Sequence, residues 1–110
     1  MSNLHLKPNP TLADLQAYIA EMVRERGFDG ESVEMRFMLF LEEAGEFAKA
    51  ARGATAMKFA DDTSRRELDE EAADVLIVLL GLCNLLNVDL EQAFRAKEEK
   101  NKTRNWSKQT

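Results

Sequence analysis

The chain has 110 residues, enough for one small domain, and its 45% hydrophobic and 32% charged residues are the balance of a soluble globular protein, not of a disordered one. Its net charge of −5 repels phosphate backbones and anionic lipids at long range, so nucleic acid polymers and membranes are not expected as partners. The single cysteine, Cys83, excludes an intrachain disulfide and a thiol-rich metal site. Because the first residues lack a secretory signal pattern and no apolar run reaches the roughly 20 residues that span a bilayer, we expect a cytoplasmic protein.

The first predicted helix covers residues 12–26. Thr11 and Asp14 have the spacing of a capping box at its start, and Gly27 follows as a natural stop. Apolar residues recur along it at helical spacing, so one of its faces is predicted to pack against a core.

The second predicted helix covers residues 32–52 and is expected to stop at Gly53. Residues 53–63, which mix glycine, alanine, threonine and paired aspartates, are interpreted as a loop.

The third predicted helix covers residues 64–86, because Ser64 and Glu67 have capping-box spacing. Its second half, VLIVLLGLCNLL, is apolar on nearly every side and must be covered all round. Three other helices of one small domain can hardly do this, so we expect a homodimer or homotetramer.

The fourth predicted helix begins after Asp89, with Gln92 three residues on, and extends to about residue 103. Four helices with short connections and no strand pattern predict an all-α helix bundle.

Two acidic pairs lie on the second and third helices, Glu43 with Glu46 and Glu71 with Asp74, and Glu42 adds a third acid beside the first pair. Residues three apart lie on one helix face, one turn from each other. The spacing leaves two interpretations open: a shared metal site, or acidic helix faces in contact with water.

Carboxylates gathered in a partly buried place would repel one another unless a cation neutralised them. All-oxygen ligation favours Mg²⁺ or Mn²⁺ over zinc. A ferritin-like di-iron centre needs Glu-x-x-His pairs on two helices, and the only histidine, His5, lies outside every predicted helix. His5 is interpreted as a surface residue.

The fourth helix carries Lys97, Asn101 and Arg104 on one face, at i, i+4 and i+7. Two cations around an amide donor suit phosphate oxygens. A solvent-facing basic stripe near the end of a helix, where cations are favoured, explains the spacing equally well.

Three segments in order, LEEAGEFAKA, EEAADVLIVLL and VDLEQAFRAKEEKNKTRNW, resemble the MazG-like all-α nucleoside triphosphate pyrophosphohydrolases. The resemblance spans residues 37–106. The family mark is Glu-Glu-x-x-Glu on one helix and Glu-x-x-Asp on the next. Here it reads Glu42-Glu43-Ala44-Gly45-Glu46 and Glu71-Ala72-Ala73-Asp74.

The resemblance implies a single MazG-like domain over residues 1–110, a four-helix bundle completed by oligomerisation, with its site built between subunits. It implies hydrolysis of (deoxy)nucleoside triphosphates to the monophosphate and pyrophosphate, as house-cleaning of the nucleotide pool, with Mg²⁺ or in its place Mn²⁺. In that interpretation Glu43 is the candidate base, with Glu42 or Glu46 as substitutes. The metal ligands are Glu43, Glu46, Glu71 and Asp74, and the phosphate-binding residues are Lys97, Asn101 and Arg104.

The chain departs from some relatives, which place an aromatic residue after the first motif and a tyrosine four residues past the metal-binding aspartate. Val78 stands at the second of these places. Phe59 is a candidate for stacking on a base or, alternatively, a packing residue. The nucleobase preference therefore stays open, as does the alternative of a non-catalytic nucleotide-binding or helical protein-interaction module. A purely structural bundle is a third hypothesis.

Overall fold

Four α-helices make up the regular structure of the computed structural model, which describes residues 2–56 and 62–104, with side chains for 2–53 and 65–104. They are α1 (Leu12–Glu25), α2 (Val33–Ala56), α3 (Asp62–Leu85) and α4 (Leu90–Lys102). No strand occurs in the described ranges, and the all-α fold class is confirmed.

The ends of α1 are those predicted from the sequence. Thr11 caps the helix by accepting a hydrogen bond from the Asp14 backbone N–H, and the Asp14 side chain accepts one from the Thr11 backbone N–H. Gly27 follows the C-cap residue Arg26 with φ of 77°, a left-handed conformation that glycine adopts without steric cost.

The start of α4 is also as predicted, since the Asp89 side chain accepts a hydrogen bond from the Gln92 backbone N–H at 3.1 Å. The side chain of Gln16 on α1 holds this end of α4 in place. Its Nε2 donates to the Val88 carbonyl at 2.6 Å, and its Oε1 accepts from the Leu90 backbone N–H at 3.1 Å.

The predicted boundary between α2 and α3 is wrong. The helix α2 continues through Gly53 to Ala56, and α3 already begins at Asp62, so Ser64 lies inside α3 and does not cap it. A glycine within a helix costs only about 1 kcal/mol relative to alanine, and the alanines around Gly53 favour the helix. The two helix ends thus take up part of the expected loop 53–63.

The helices pack so that α2 lies along α3, α1 lies against α3, and α4 lies against α1. Ile19 and Met22 of α1 meet Leu80 of α3, which is 1% exposed, at the centre of the core. The helix α3 therefore holds the molecule together, because two other helices pack on it.

One chain leaves apolar side chains uncovered on both α2 and α3. Met38 and Leu41 of α2 are 69% and 68% exposed, and Leu76, Ile77 and Leu85 of α3 are each 37% exposed. Leu82 and Cys83 of α3 are buried within the chain.

No single helix of the described residues is long and apolar enough to cross a membrane. A helix pair, residues 65–85 with Leu90–Lys102, passes that test only when taken together across a 98° bend.

Candidate metal and active site

Three carboxylates converge where α2 packs along α3. Glu43 comes from α2 and Glu71 and Asp74 from α3, and one carboxylate oxygen of each lies within 4.8 Å of the others. All three residues are half-buried. Two helices thus direct three of the four predicted metal ligands into one place.

The electrostatics of the cluster favour a bound cation. Burial raises the pKa of Glu43, and the charges of Asp74 and Glu71 raise it further. Burial also raises the pKa of Glu71, with Asp74 and then Glu46 adding to the effect. Both carboxyls resist ionisation because their charged forms are poorly hydrated and repel one another.

The donor set fits a hard divalent cation. Glu71 Oε2 is buried without a hydrogen-bond partner among the described residues. Burying an unpaired acceptor destabilises the fold unless a donor or a cation binds it. Oxygen ligands from three carboxylates are those that Mg²⁺ and Mn²⁺ prefer. The cluster therefore has both the chemistry and the unsatisfied ligand atom of a metal site.

The other two predicted acids, Glu46 and Glu42, lie outside the group of three and are exposed. Both are close enough for their charges to raise the pKa of Glu43. They form a negatively charged rim beside the cluster.

Of the predicted phosphate-binding residues, Lys97 and Asn101 are on α4 and Arg104 follows its end. Among the described residues, α4 packs against α1 and makes no extensive contact with α2 or α3. Lys97 and Arg104 are exposed and Asn101 is half-buried. In the part of the chain that the structure describes, α4 is thus not packed on the two helices that carry the carboxylates. Phe59, the candidate for base stacking, lies outside the described residues.

Comparison with known proteins identifies the family. The family model for phosphoribosyl-ATP pyrophosphohydrolase matches residues 12–101, which include both acidic pairs. The chain belongs to the phosphoribosyl-ATP pyrophosphohydrolase family. The resemblance to MazG-like all-α pyrophosphohydrolases drawn from the sequence motifs is thereby confirmed.

The relatives of this family member include two proteins named as hydrolases of different nucleotides and one that is uncharacterized. The chain is 37% identical over 98 residues to the dATP/dGTP diphosphohydrolase of cyanophage S-2L, covering 89% of this chain and 80% of that protein. It is 34% identical over 107 residues to dCTP pyrophosphatase 1 of Mus musculus, covering 88% of this chain and 60% of that protein. It is 30% identical over 96 residues to the uncharacterized protein YvdC of Bacillus subtilis (strain 168), covering 81% of this chain and 91% of that protein.

A feature of this family member that sequence reasoning missed is a buried arginine on α2. Arg36 is 5% exposed, and its Nη2 donates to the Phe28 carbonyl at 2.6 Å. Its Nε lies 3.5 Å from Glu31 Oε1. The only signal in the sequence is that Arg36 precedes Phe40 by four residues and so shares a helix face with an apolar side chain.

A cavity of about 220 Å³ joins this arginine to the carboxylate cluster. Asp74 lines it together with Arg36 and Glu31, and Phe28 of the α1–α2 connection also borders it. Arg26 is a further charged residue of its lining, and the remaining walls are apolar, with Val78 among them. The family member thus has a small pocket that begins at a metal-ligand candidate.

Proposed function

We propose that this protein is a divalent-metal-dependent pyrophosphohydrolase that converts (deoxy)nucleoside triphosphates to the monophosphate and pyrophosphate. The observation that carries the proposal is the convergence of Glu43, Glu71 and Asp74 within 4.8 Å. Relatives named as a dATP/dGTP diphosphohydrolase and a dCTP pyrophosphatase support a nucleotide substrate. We propose that one domain over residues 1–110 does this, in the cytoplasm, as house-cleaning of the nucleotide pool.

The metal would be held by Glu43, Glu71 and Asp74, with Glu46 reaching in from the rim. Mg²⁺, or Mn²⁺ in its place, supplies Lewis-acid polarisation of phosphate oxygens and lowers the pKa of water when bound. The acidic protein needs this charge to accept a polyphosphate, because its own net charge of −5 repels one.

The carboxylate of Glu43 is our candidate for the general base, and Glu42 is the substitute. It accepts a proton from a water molecule whose oxygen attacks the α-phosphorus. The bond from the α-phosphorus to the oxygen bridging it to the β-phosphorus breaks, and pyrophosphate leaves with that oxygen.

The phosphates would be bound by Lys97, Asn101 and Arg104, in which the two cations offset the phosphate charge and the amide donates hydrogen bonds. Because α4 packs on α1 in one chain, we propose that these residues reach the cluster from a second copy in a homodimer or homotetramer. The site would then be complete only in the oligomer.

The test is pyrophosphate release from a panel of nucleoside and deoxynucleoside triphosphates, with phosphoribosyl-ATP included, in Mg²⁺ and in Mn²⁺. Glu43→Gln should lower kcat by at least about 100-fold, because a positioned general base contributes about 10²–10⁴-fold. The control is Glu70→Gln on the exposed side of α3, which should leave kcat unchanged. No pyrophosphate from any substrate would overturn the proposal, and nucleotide binding without turnover would favour the non-catalytic module.

A further inference from the structure

The buried guanidinium of Arg36 is incompletely satisfied. Its Nη2 has the Phe28 carbonyl, but its Nε is buried without a hydrogen-bond partner among the described residues. The carboxylate oxygen of Glu31 lies 3.5 Å from that Nε, at the edge of hydrogen-bond range. The Nε–H of Arg36 can therefore still donate a hydrogen bond to a ligand. Leaving a buried donor unpaired lowers the stability of the folded protein.

The cavity places this donor at a defined distance from the metal cluster. Arg36 precedes Glu43 by seven residues on α2, and Gly81, which contacts Arg36, follows Asp74 by seven on α3. Seven residues of helix correspond to about 10 Å. This separation is comparable to the length of a nucleoside from its 5′-phosphate to the far edge of its base.

The size and lining of the cavity suit a single nucleobase. Its volume of about 220 Å³ is below the roughly 300–1,000 Å³ of pockets that hold a whole drug-sized ligand. Leu39, Ile77 and Val78 give it apolar walls, which match the faces of a base. Four charged residues also line it, which are Asp74 at the cluster, Arg26, Glu31 and Arg36. Of these, Arg36 and Glu31 form a paired donor and acceptor that matches a polar base edge.

We propose that Arg36 and Glu31 determine base selectivity by recognising the polar edge of the substrate's nucleobase in this cavity. The inference rests on the proposed function, since it assumes that the triphosphate binds at the cluster. Arg36 donates to a base acceptor, and the Glu31 carboxylate accepts from a neighbouring base N–H. Every nucleobase offers a donor next to an acceptor on its pairing edge, so the order and spacing of these two protein groups select among bases.

Gly81 supports this arrangement because it leaves room for the guanidinium. A Cβ at Gly81 would lie 3.1 Å from Arg36 Nη1, closer than an ordinary van der Waals contact. Gly81→Ala therefore shifts the guanidinium without removing it, and the same change in selectivity is expected.

The experiment compares kcat/KM for the four dNTPs and for 2′-deoxyribose 5′-triphosphate, which has no base. Glu31→Gln keeps the Arg36 contact to Phe28 but loses an acceptor-only group, and Arg36→Lys keeps the charge but loses the planar donor fork. Each should change the ratio of kcat/KM between the best and the worst dNTP by at least tenfold, mainly through KM. With the substrate that lacks a base, neither should differ from the wild type by more than about twofold.

The matched control is Glu34→Gln, which removes a nearby exposed charge in the first turn of α2 that does not line the cavity. It should leave the ratios between dNTPs unchanged. If Glu31→Gln and Arg36→Lys lower kcat/KM equally for all substrates, the base-less one included, both residues only support the fold, and the inference is wrong.

A binding measurement separates this inference from the proposed function. If the wild type hydrolyses no dNTP, the proposed function fails, but calorimetric titration with the four deoxynucleoside monophosphates still tests the cavity. Different affinities for the four, with the differences abolished in Glu31→Gln, would support recognition of the base. Equal affinities, or none, would overturn it.

Discussion

Glu71 presents a carboxylate oxygen that is buried away from water and has no hydrogen-bond partner among the residues that the structure describes. Its pKa is raised by burial, and Asp74 is the largest of the charges that add to this. The folded state thus binds a proton on Glu71 at pH values at which the unfolded chain has already lost it. The free energy of unfolding of the metal-free protein depends on pH for this reason.

The first prediction concerns this pH dependence. Across the interval from about 4.3, the ordinary glutamate pKa, up to the raised folded value, the stability contributed by protonated Glu71 is lost as the pH rises. At pH 7.5 in EDTA, Glu71→Gln should therefore have a higher Tm than the wild type, and the difference should disappear near pH 4. Thermal denaturation across this pH range measures it.

The control for that experiment is Glu98→Gln, since Glu98 is an exposed glutamate on α4 that is not among the charges raising the pKa of Glu71. It should change the Tm little at any pH. An equal increase for Glu98→Gln and Glu71→Gln at pH 7.5 would mean that lower net negative charge, and not relief at the cluster, stabilises the protein.

The second prediction concerns the metal itself. A cation that binds only the folded state stabilises it by about 2.7 kcal/mol at a concentration 100 times its Kd. Mg²⁺ or Mn²⁺ should raise the Tm of the wild type, and Asp74→Asn should reduce this increase because one ligand charge is lost. Titration of Tm against metal concentration measures it, and an unchanged Tm in both metals would contradict the metal site.

The pairing of acidic residues in the candidate site could be predicted from the sequence, because helix geometry alone determines it. Spacing of i, i+3 fixes which side chains share a helix face, so Glu71 and Asp74 could be paired before any fold was known. Which acids actually meet depends on how α2 lies along α3, and the structure joins Glu43 to that pair while Glu46 stays at the rim. Arg36 was missed because its burial follows from packing against Gly81 and the α1–α2 connection, which are tertiary contacts.

At the level of elements, predictions succeeded where a helix end is fixed by its own residues. The capping box of Thr11 and the cap of Asp89 act within one turn, so sequence determines them. Gly53 was taken as a stop on composition alone, but only a glycine in a left-handed conformation ends a helix in this way, and Gly27 is the described glycine with positive φ. The start of α3 was also predicted from residue types alone. Ser64 and Glu67 have capping-box spacing, but Ser64 lies within the helix and does not cap it.

The third prediction tests this distinction between glycines. Gly27→Ala should lower the free energy of unfolding by about 1 kcal/mol, because a Cβ is disfavoured at φ of 77°. Gly30→Ala, in the same connection, is the matched control, since it has no positive φ and no atom within 4 Å of the added Cβ. It should be neutral or slightly stabilising. Urea denaturation of both variants measures the difference, and equal effects would contradict the assignment of the α1 end.

At the level of the whole molecule, one chain leaves a large apolar surface on α2 uncovered. Met38 and Leu41 lie three residues apart on one helix face, each about two-thirds exposed. Exposed apolar clusters of this kind on a small protein mark interaction sites. Glu42 follows Met38 by four residues and lies on the same helix face, so a partner that covers this face also meets the negatively charged rim beside the cluster.

We expect the partner to be a second copy of the chain, since α4 packs on α1 and not on α2 or α3 among the described residues, and the proposed phosphate site includes Lys97 of α4. The fourth prediction is that Leu41→Glu weakens self-association by at least tenfold and lowers kcat/KM with it. In a two-fold symmetric interface the substitution acts twice, and burying an unpaired carboxylate is costly. Sedimentation equilibrium measures the association, and circular dichroism checks that the helices remain.

Leu6→Glu is the matched control, because it introduces the same charge at a leucine that is 52% exposed but lies in the segment before α1. It should leave both association and kcat/KM unchanged. The two readouts also separate assembly from catalysis: at high protein concentration mass action restores the oligomer of Leu41→Glu, and kcat/KM should recover in parallel. A Leu41→Glu protein that is fully dissociated yet as active as the wild type would show that each chain holds a complete site of its own, and the proposed role of α4 from a second copy would be wrong.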